Sequence, residues 1–301
     1  MKIFENKIFL GFLIPNAILL SIIGINRFLN VGSAGVIVFS EFVILPMLIG
    51  IMSAWFWKDF KLSSKMLIWN SILNGFIAIL LSFLFLGEGT ICLIIVSPLI
   101  FAFVITGAFI GKVMFKKNNQ TLNTSFISLL MLIFIADSLA DHRYENMVSD
   151  EVIIKATPEK IWKNVVAFDK IKQPNTYWLF NIGMPSPMQT TVTAYKKGAG
   201  RKCIFSNGYV FDEQIVTFDK NKNLTFDIVN QPKDPEIMGH IDINRGQFLL
   251  QDNGNGTTTL IGNSWYKLHV FPTWYYDLWA ESITRNVHLR VMDHIKVLSE
   301  K

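Results

Sequence analysis

Hydrophobic and polar positions follow two different patterns along this chain. Through the first 140 residues they form long apolar runs, at about Ile8 to Phe28, Ala34 to Trp57, Met66 to Leu86, Ile91 to Phe115 and Ser125 to Ala140. A helix rising 1.5 Å per residue needs about 20 residues to cross hydrocarbon. The spacing therefore predicts about five spans, the fifth being the shortest. No small-residue cleavage pattern follows the first run before Arg27, so it reads as a retained span rather than a leader. After a polar stretch from Asp141 to Ser149 the pattern changes to short segments. Val152 to Ala156 reads as a strand, and Thr157-Pro158-Glu159 opens a helix, with Thr157 as N-cap and Ile161, Trp162, Val165 and Val166 on its apolar face. A Pro-rich irregular stretch runs from Pro174 to Pro187. Strands follow at about 188–195, 201–206, 209–218, 223–230, 244–251 and 257–268, separated by Gly- and Asn-rich turns. A long helix from Thr273 to about Ser299 closes the chain, with Leu278, Ile283, Val287, Val291, Ile295 and Leu298 at helical spacing. One strand, a helix, six strands and a terminal helix make an α+β order, in which a curved antiparallel sheet wraps a long helix and a ligand fits between the layers. The fold class expected is thus an α-helical membrane domain, residues 1 to 144, followed by an α+β helix-grip domain, residues 145 to 301.

Charge refines this division. The net charge is +5, but residues 1 to 144 hold ten Lys/Arg against six Asp/Glu, whereas the remainder is nearly balanced at eighteen against seventeen. The basic surplus thus belongs to membrane topology and not to a nucleic-acid surface, and no nucleic-acid partner is expected. Lys2, Lys7, Lys58, Lys61, Lys65, Lys112, Lys116 and Lys117 fall at alternate ends of the runs, which places those ends and the N-terminus in the cytoplasm and the C-terminal domain outside, in a plasma or inner membrane. Within the runs Glu41, five residues before Pro46, is the unusual group at membrane depth. It reads first as a protonated or hydrogen-bonded helix glue and second as a relay or substrate contact. Asn16, Asn70 and Asn74 suit interhelical hydrogen bonds. The two cysteines, Cys92 and Cys203, form no disulfide framework, and the histidines show no metal-ligand spacing, so neither a metal nor a cofactor is expected.

Several ordered segments of the second half resemble a known superfamily. Ala156-Thr157-Pro158-Glu159-Lys160-Ile161-Trp162 with Asn164 to Phe168, then Arg201 to Ser206, Glu213 to Ile215, Arg245 to Phe248, Ser264 to Tyr266, and finally Trp279 to His288 with Arg290-Val291 and His294-Ile295-Lys296 to Glu300, are similar to the START/Bet v1-like (SRPBCC, polyketide cyclase-like) domains, in particular to a membrane-linked branch. The resemblance covers about 155 residues. It implies a helix-grip cavity, and it implies no catalytic set, because members of this superfamily share a cavity and differ in its lining.

Two groups of residues are candidates for lining that cavity. The polar group is Arg201, Glu213, Arg245, His240 and His288, in which a His with a carboxylate could exchange protons with an enolisable ketone. The alternative for these residues is ordinary salt bridging. The aromatic and apolar group is Trp178, Phe180, Cys203, Phe205, Tyr209, Phe211, Trp265, Tyr266 and Trp279, with Trp274 and Tyr275 nearby; Trp265 and Tyr266 must point to opposite faces. Cys203 has no assigned His partner, and no G-x-S-x-G elbow or phosphate loop is present. The leading expectation is a membrane-anchored module that binds or senses a lipophilic small molecule or lipid and is not an enzyme. The alternatives are a cyclase- or dehydratase-type enzyme acting on a hydrophobic substrate, and an interaction or assembly protein whose cavity is filled by its own side chains.

Overall fold

The computed structural model describes residues 6–28, 43–87, 89–117, 120–138, 144–232, 240–270 and 272–301. The chain forms two compact units, Met1–His142 with His269–Pro272, and Arg143–Leu268 with Thr273–Lys301.

The first unit is helical: α1 (Lys7–Phe28), α2 (Leu45–Trp57), α3 (Ser64–Leu81), α4 (Thr90–Lys117) and α5 (Gln120–Ser138). Among the described residues three helices are long and apolar enough to cross a membrane, within Lys7–Ile25, Ser64–Phe85 and Thr90–Lys116. The expectation of about five is corrected to three by this measure. The described part of the second run is the 13-residue α2, while residues 34–42, Glu41 among them, lie outside the described residues. In α5 the apolar stretch among the described residues is Thr124–Ile133.

Small residues and amides hold these helices together, as expected where lipid removes the usual hydrophobic drive. A Cβ on Gly107 would meet the Met47 carbonyl oxygen at 2.1 Å, and one on Gly50 would meet that of Val104 at 2.1 Å. The backbones of α2 and α4 thus touch directly. At the α1–α3 crossing Asn16 donates to Asn74, which donates to Ser53 Oγ and to the Gly11 carbonyl. Lys7 pairs with Asp59 at 2.6 Å, and Lys112 donates to the Leu62 carbonyl. The lysine-bearing ends of α1 and α4 and the α2–α3 connection therefore lie at one end of the bundle.

The second unit is a seven-stranded antiparallel sheet with a long helix. Its elements are β1 (Tyr144–Ile154), α6 (Pro158–Val166), α7 (Trp178–Asn181), β2 (Pro187–Val192), β3 (Gly200–Phe205), β4 (Val210–Asp219), β5 (Asn223–Asn230), β6 (Ile241–Asp252), β7 (Thr258–Leu268) and α8 (Thr273–Ser299). The strand order is β1-β7-β6-β5-β4-β3-β2. From one helix, Lys296 reaches the Ile153 carbonyl on the β1 edge and Arg290 reaches the Pro187 carbonyl at the β2 edge. A sheet whose two edges both meet α8 is curled around it, as a helix grip requires. Register shifts in β2, β4, β5 and β6 supply bulges that support the curl.

One end of the grip is packed solid. Ile154, Ile161, Trp162, Val165, Val166, Ile215, Leu224, Phe226, Phe248, Leu250, Leu260, Met292 and Ile295 belong to one core in which every member is at most 8% exposed. Burying each such side chain contributes about 1.5 to 3 kcal/mol. Two local expectations change. Thr157 caps α6 through its backbone carbonyl, with no hydroxyl cap bond. Leu278 is 63% exposed, and α8 instead buries Tyr276, Ala280, Thr284, His288, Val291, Met292, Ile295 and Ser299.

Candidate functional site

The pairing register fixes which side chains face α8. Gly262 lies against Met292 of α8, and its partners Asp150 and Phe248 share its face. Alternation then places Val148, Asp150, Ser264 and Tyr266 on the concave side. Carried across the ladder, it adds Gly246, Phe226, Glu213, Arg201, Cys203, Phe205 and Phe211. Arg245 and Trp265 fall on the convex side, so the structure separates them from the other candidates. Arg245 there pairs with Asp227 at 2.6 Å and is half-exposed. Tyr266 is fully buried on the concave side, opposite in direction to Trp265.

Three polar groups stand on the concave face. The first is Arg201 with Glu213, adjacent across β3 and β4 and ion-paired through Arg201 Nη1. Arg201 Nε also donates to the Val166 carbonyl at 3.0 Å, and its guanidinium stacks on Phe226 at 4.5 Å. All the charge is spoken for within the protein. Burial pushes the Glu213 carboxyl up, opposed by Arg201. The neighbouring Cys203 thiol is pushed up to about 12 by burial and by Glu213, which leaves a protonated, unreactive sulfur at neutral pH.

The second group gathers on Asp277 near the start of α8. Tyr266 Oη donates to Asp277 Oδ1 at 2.6 Å, Asn146 Nδ2 donates to both carboxylate oxygens, and Tyr144 Oη lies 3.3 Å from Oδ2. Burial and the carboxylate together raise the Tyr266 phenol. These bonds fasten the first turn of α8 to β1 and β7.

The third group is centred on His288 of α8. Its Nδ1 lies 2.9 Å from Asp150 Oδ2 on β1, and its Nε2 lies 2.7 Å from Ser264 Oγ on β7. Arg285 Nε approaches the other Asp150 oxygen at 3.5 Å. Burial lowers the His288 pKa below 6.5, opposed by its bond to Asp150. The ring is then neutral at pH 7, with Nδ1–H donating to the carboxylate and Nε2 accepting from the serine hydroxyl. Asp150 was not singled out from the sequence, and Ser264 was noted only as the first residue of a resembling segment, not as a cavity candidate. An acid on an alternating strand was the available signal, but Asp150 sits where the pattern reads as a polar linker.

The aromatic candidates divide. Phe180 is buried beside Tyr177 at 5.2 Å. Trp178, on the short α7, is 48% exposed and meets Trp279 edge-on at 6.4 Å. Phe205 and Phe211 contact each other at 5.1 Å, and Tyr209 is exposed at the β3–β4 turn. Cys203, Phe205 and Phe211 on the sheet and Trp279, Ile283 and Val287 on α8 remain only half-buried, in contrast to the sealed core beyond them. A separate open groove of about 480 Å³ crosses the outer side of β2 to β5, lined by Thr191, Thr193, Lys202, Asp212, Gln214 and Val229 among others. Among the described residues no cluster of three or more His, Cys, Asp and Glu side chains could hold a metal ion.

Part of the chain is similar to several solved structures. A truncated norcoclaurine synthase from Thalictrum flavum is 11% identical over 53% of this chain and 96% of its own, with a TM-score of 0.37. A protein of unknown function, SA2116 from Staphylococcus aureus, is 12% identical over 53% of this chain and 96% of its own, with a TM-score of 0.38. An uncharacterised protein from Bacillus thuringiensis is 12% identical over 52% of this chain and all of its own, at 0.36. Likenesses at this level carry no weight of their own, and the helix-grip assignment rests on strand order and the gripped helix. No family model matches the chain, and no curated protein sequence does.

Proposed function

We propose that this is a membrane-anchored protein whose helix-grip unit binds a lipophilic small molecule or lipid on its concave face, on the far side of the membrane from the lysine-bearing helix ends, with the runs of α2 and α5 completing the crossings that this orientation needs. One observation carries the reading: the inward-facing Cys203, Phe205 and Phe211 of the sheet, and Trp279, Ile283 and Val287 beside the buried stripe of α8, are left half-buried in a unit whose other end is fully packed. Apolar surface held open in this way gains free energy when an apolar ligand removes it from water. The three helices able to cross a membrane supply the anchor.

The test is native mass spectrometry of the full chain in lipid nanodiscs, with N-phenyl-1-naphthylamine as a competing probe. The expected result is a bound hydrophobe that the probe displaces. Trp279→Ala should change which probes are retained, whereas His288→Ala should leave retention nearly unchanged. A chain that carries no hydrophobe and takes up no probe would overturn the reading in favour of a filled, interaction-type domain. A second reading, an enzyme acting on a hydrophobic substrate, is favoured by the contact of His288 with the Asp150 carboxylate on the same face.

A further inference from the structure

We propose that Ser264, His288 and Asp150 form a nucleophilic relay that transfers the acyl group of an activated, lipophilic ester to Ser264 and then to water. The ester class rests on the binding reading above; the relay itself rests on the geometry of the three side chains.

Both contacts have the length and order such a relay needs: Ser264 Oγ to His288 Nε2 at 2.7 Å, and His288 Nδ1 to Asp150 Oδ2 at 2.9 Å. The three groups come from three elements, β7, α8 and β1, which converge because Asp150 pairs with Gly262 and Val148 with Ser264. Burial is graded along the relay. Asp150 and His288 are 9% and 6% exposed, while Ser264 is only half-buried. The base and its orienting acid are thus shielded from water, and the nucleophile is the member that a substrate can reach. The residue opposite Ser264 on β6 is Gly246, over which the Phe226 ring packs, at 2.5 Å from where a Cβ would sit, so the approach to Ser264 is from the side its half-burial leaves open. A neutral imidazole that donates through Nδ1 to a carboxylate presents its Nε2 lone pair to the serine hydroxyl. This is the tautomer that removes the proton. Of the charged groups near the ring, Asp150 favours the protonated imidazolium formed during the reaction and Arg285 opposes it.

The chemistry balances as acyl transfer. Ser264 Oγ bonds to the ester carbonyl carbon while its proton passes to His288 Nε2. The bond to the leaving oxygen then breaks, and the alcohol or phenol departs with that proton. Water next attacks the acyl-serine and gives a proton to Nε2, which returns it to Ser264 Oγ as the free acid leaves. The strand context limits the substrate. β7 lies between β1 and β6 and is hydrogen-bonded on both sides, so the backbone around Ser264 is engaged in the sheet rather than arranged as an oxyanion hole. Without that stabilisation, worth about 10²- to 10³-fold per donor, the site suits esters with good leaving groups, such as aryl esters, and not amides.

The test treats the full chain in nanodiscs with a fluorophosphonate probe and with p-nitrophenyl octanoate. Labelling should map to Ser264, disappear in Ser264→Ala, and fall at least tenfold in His288→Gln and Asp150→Asn. The labelling rate of the unmodified chain should rise with pH through a midpoint below 6.5, a profile that a purely structural histidine would not produce. Thermal melts of each variant separate lost chemistry from lost folding. Absence of label on the folded wild-type chain would overturn the relay, as would undiminished labelling in folded His288→Gln. Probe retention without labelling leaves the binding reading standing and removes the relay, whereas labelling without retention does the reverse.

Discussion

Arg201 and Glu213 form the most buried ion pair among the described residues, with both side chains at most 4% exposed. Removing one charge strands the other away from water, and breaking such a pair costs about 3 to 5 kcal/mol. Glu213→Gln should therefore lower stability by about that amount in urea titration, and the double change Arg201→Met with Glu213→Leu should recover most of it. His288 has a signed pH effect. Its folded-state pKa lies below the ordinary 6.5, so under acid conditions the unfolded chain takes up a proton that the folded chain refuses. The stability this group contributes is complete above about pH 6.5 and is lost as pH falls below that value toward the folded-state pKa. Glu213, raised by burial, acts with the opposite sign above its ordinary 4.5. His294, also lowered by burial, acts with the same sign as His288. Comparing wild type with His288→Gln cancels both contributions. Between pH 7.5 and 5.5 the melting midpoint of wild type should fall more than that of the variant.

Among the elements, the α2–α4 crossing depends on having no side chain at Gly50 and Gly107. Gly107→Val would set a branched side chain where even a Cβ meets the Met47 carbonyl at 2.1 Å. The helices must then separate, at a cost of about 1 to 3 kcal/mol or more, which a thermal shift of the detergent-solubilised chain should register. The elements also show where the pattern of the sequence could be read and where it could not. The meander from β2 to β7 was legible because turns such as Asn207-Gly208 interrupt alternating segments. β1 was read as starting at Val152, whereas it starts at Tyr144. Its inward positions Asn146 and Asp150 are polar, bound to Asp277 and His288, and so erase the alternation. α8 was misread in part for the same reason, since Thr284 and His288 lie on its buried face and Leu278 does not. The polar residues of its last turns were visible as a motif, yet their roles needed the fold: Arg290 holds the Pro187 carbonyl, His294 the Asp169 carbonyl, and Lys296 the Ile153 carbonyl. Of the apolar runs, the first, third and fourth reach spanning length among the described residues, and the described part of the second is the 13-residue α2.

At the scale of the whole molecule, the sheet, α8 and their shared core lie within residues 144–301. That fragment should be soluble when expressed alone and should unfold in one cooperative step, monitored by near-ultraviolet circular dichroism. An alkaline-phosphatase fusion after Asn146 should be active and a fluorescent-protein fusion at the same point dark, as the proposed orientation requires; the reverse pattern would place the grip in the cytoplasm. The pairing of β1 with β7, Ile154 opposite Thr258, also sets a schedule for biogenesis. Synthesis adds about 5 to 20 residues per second, so β1 leaves the ribosome on the order of 5 to 20 seconds before the strand that pairs with it, and α8 follows later still. During that interval the nascent sheet has an unmatched edge and an ungripped concave surface. The helices of the first unit are already made by then, which leaves this unit as the later of the two to complete its fold.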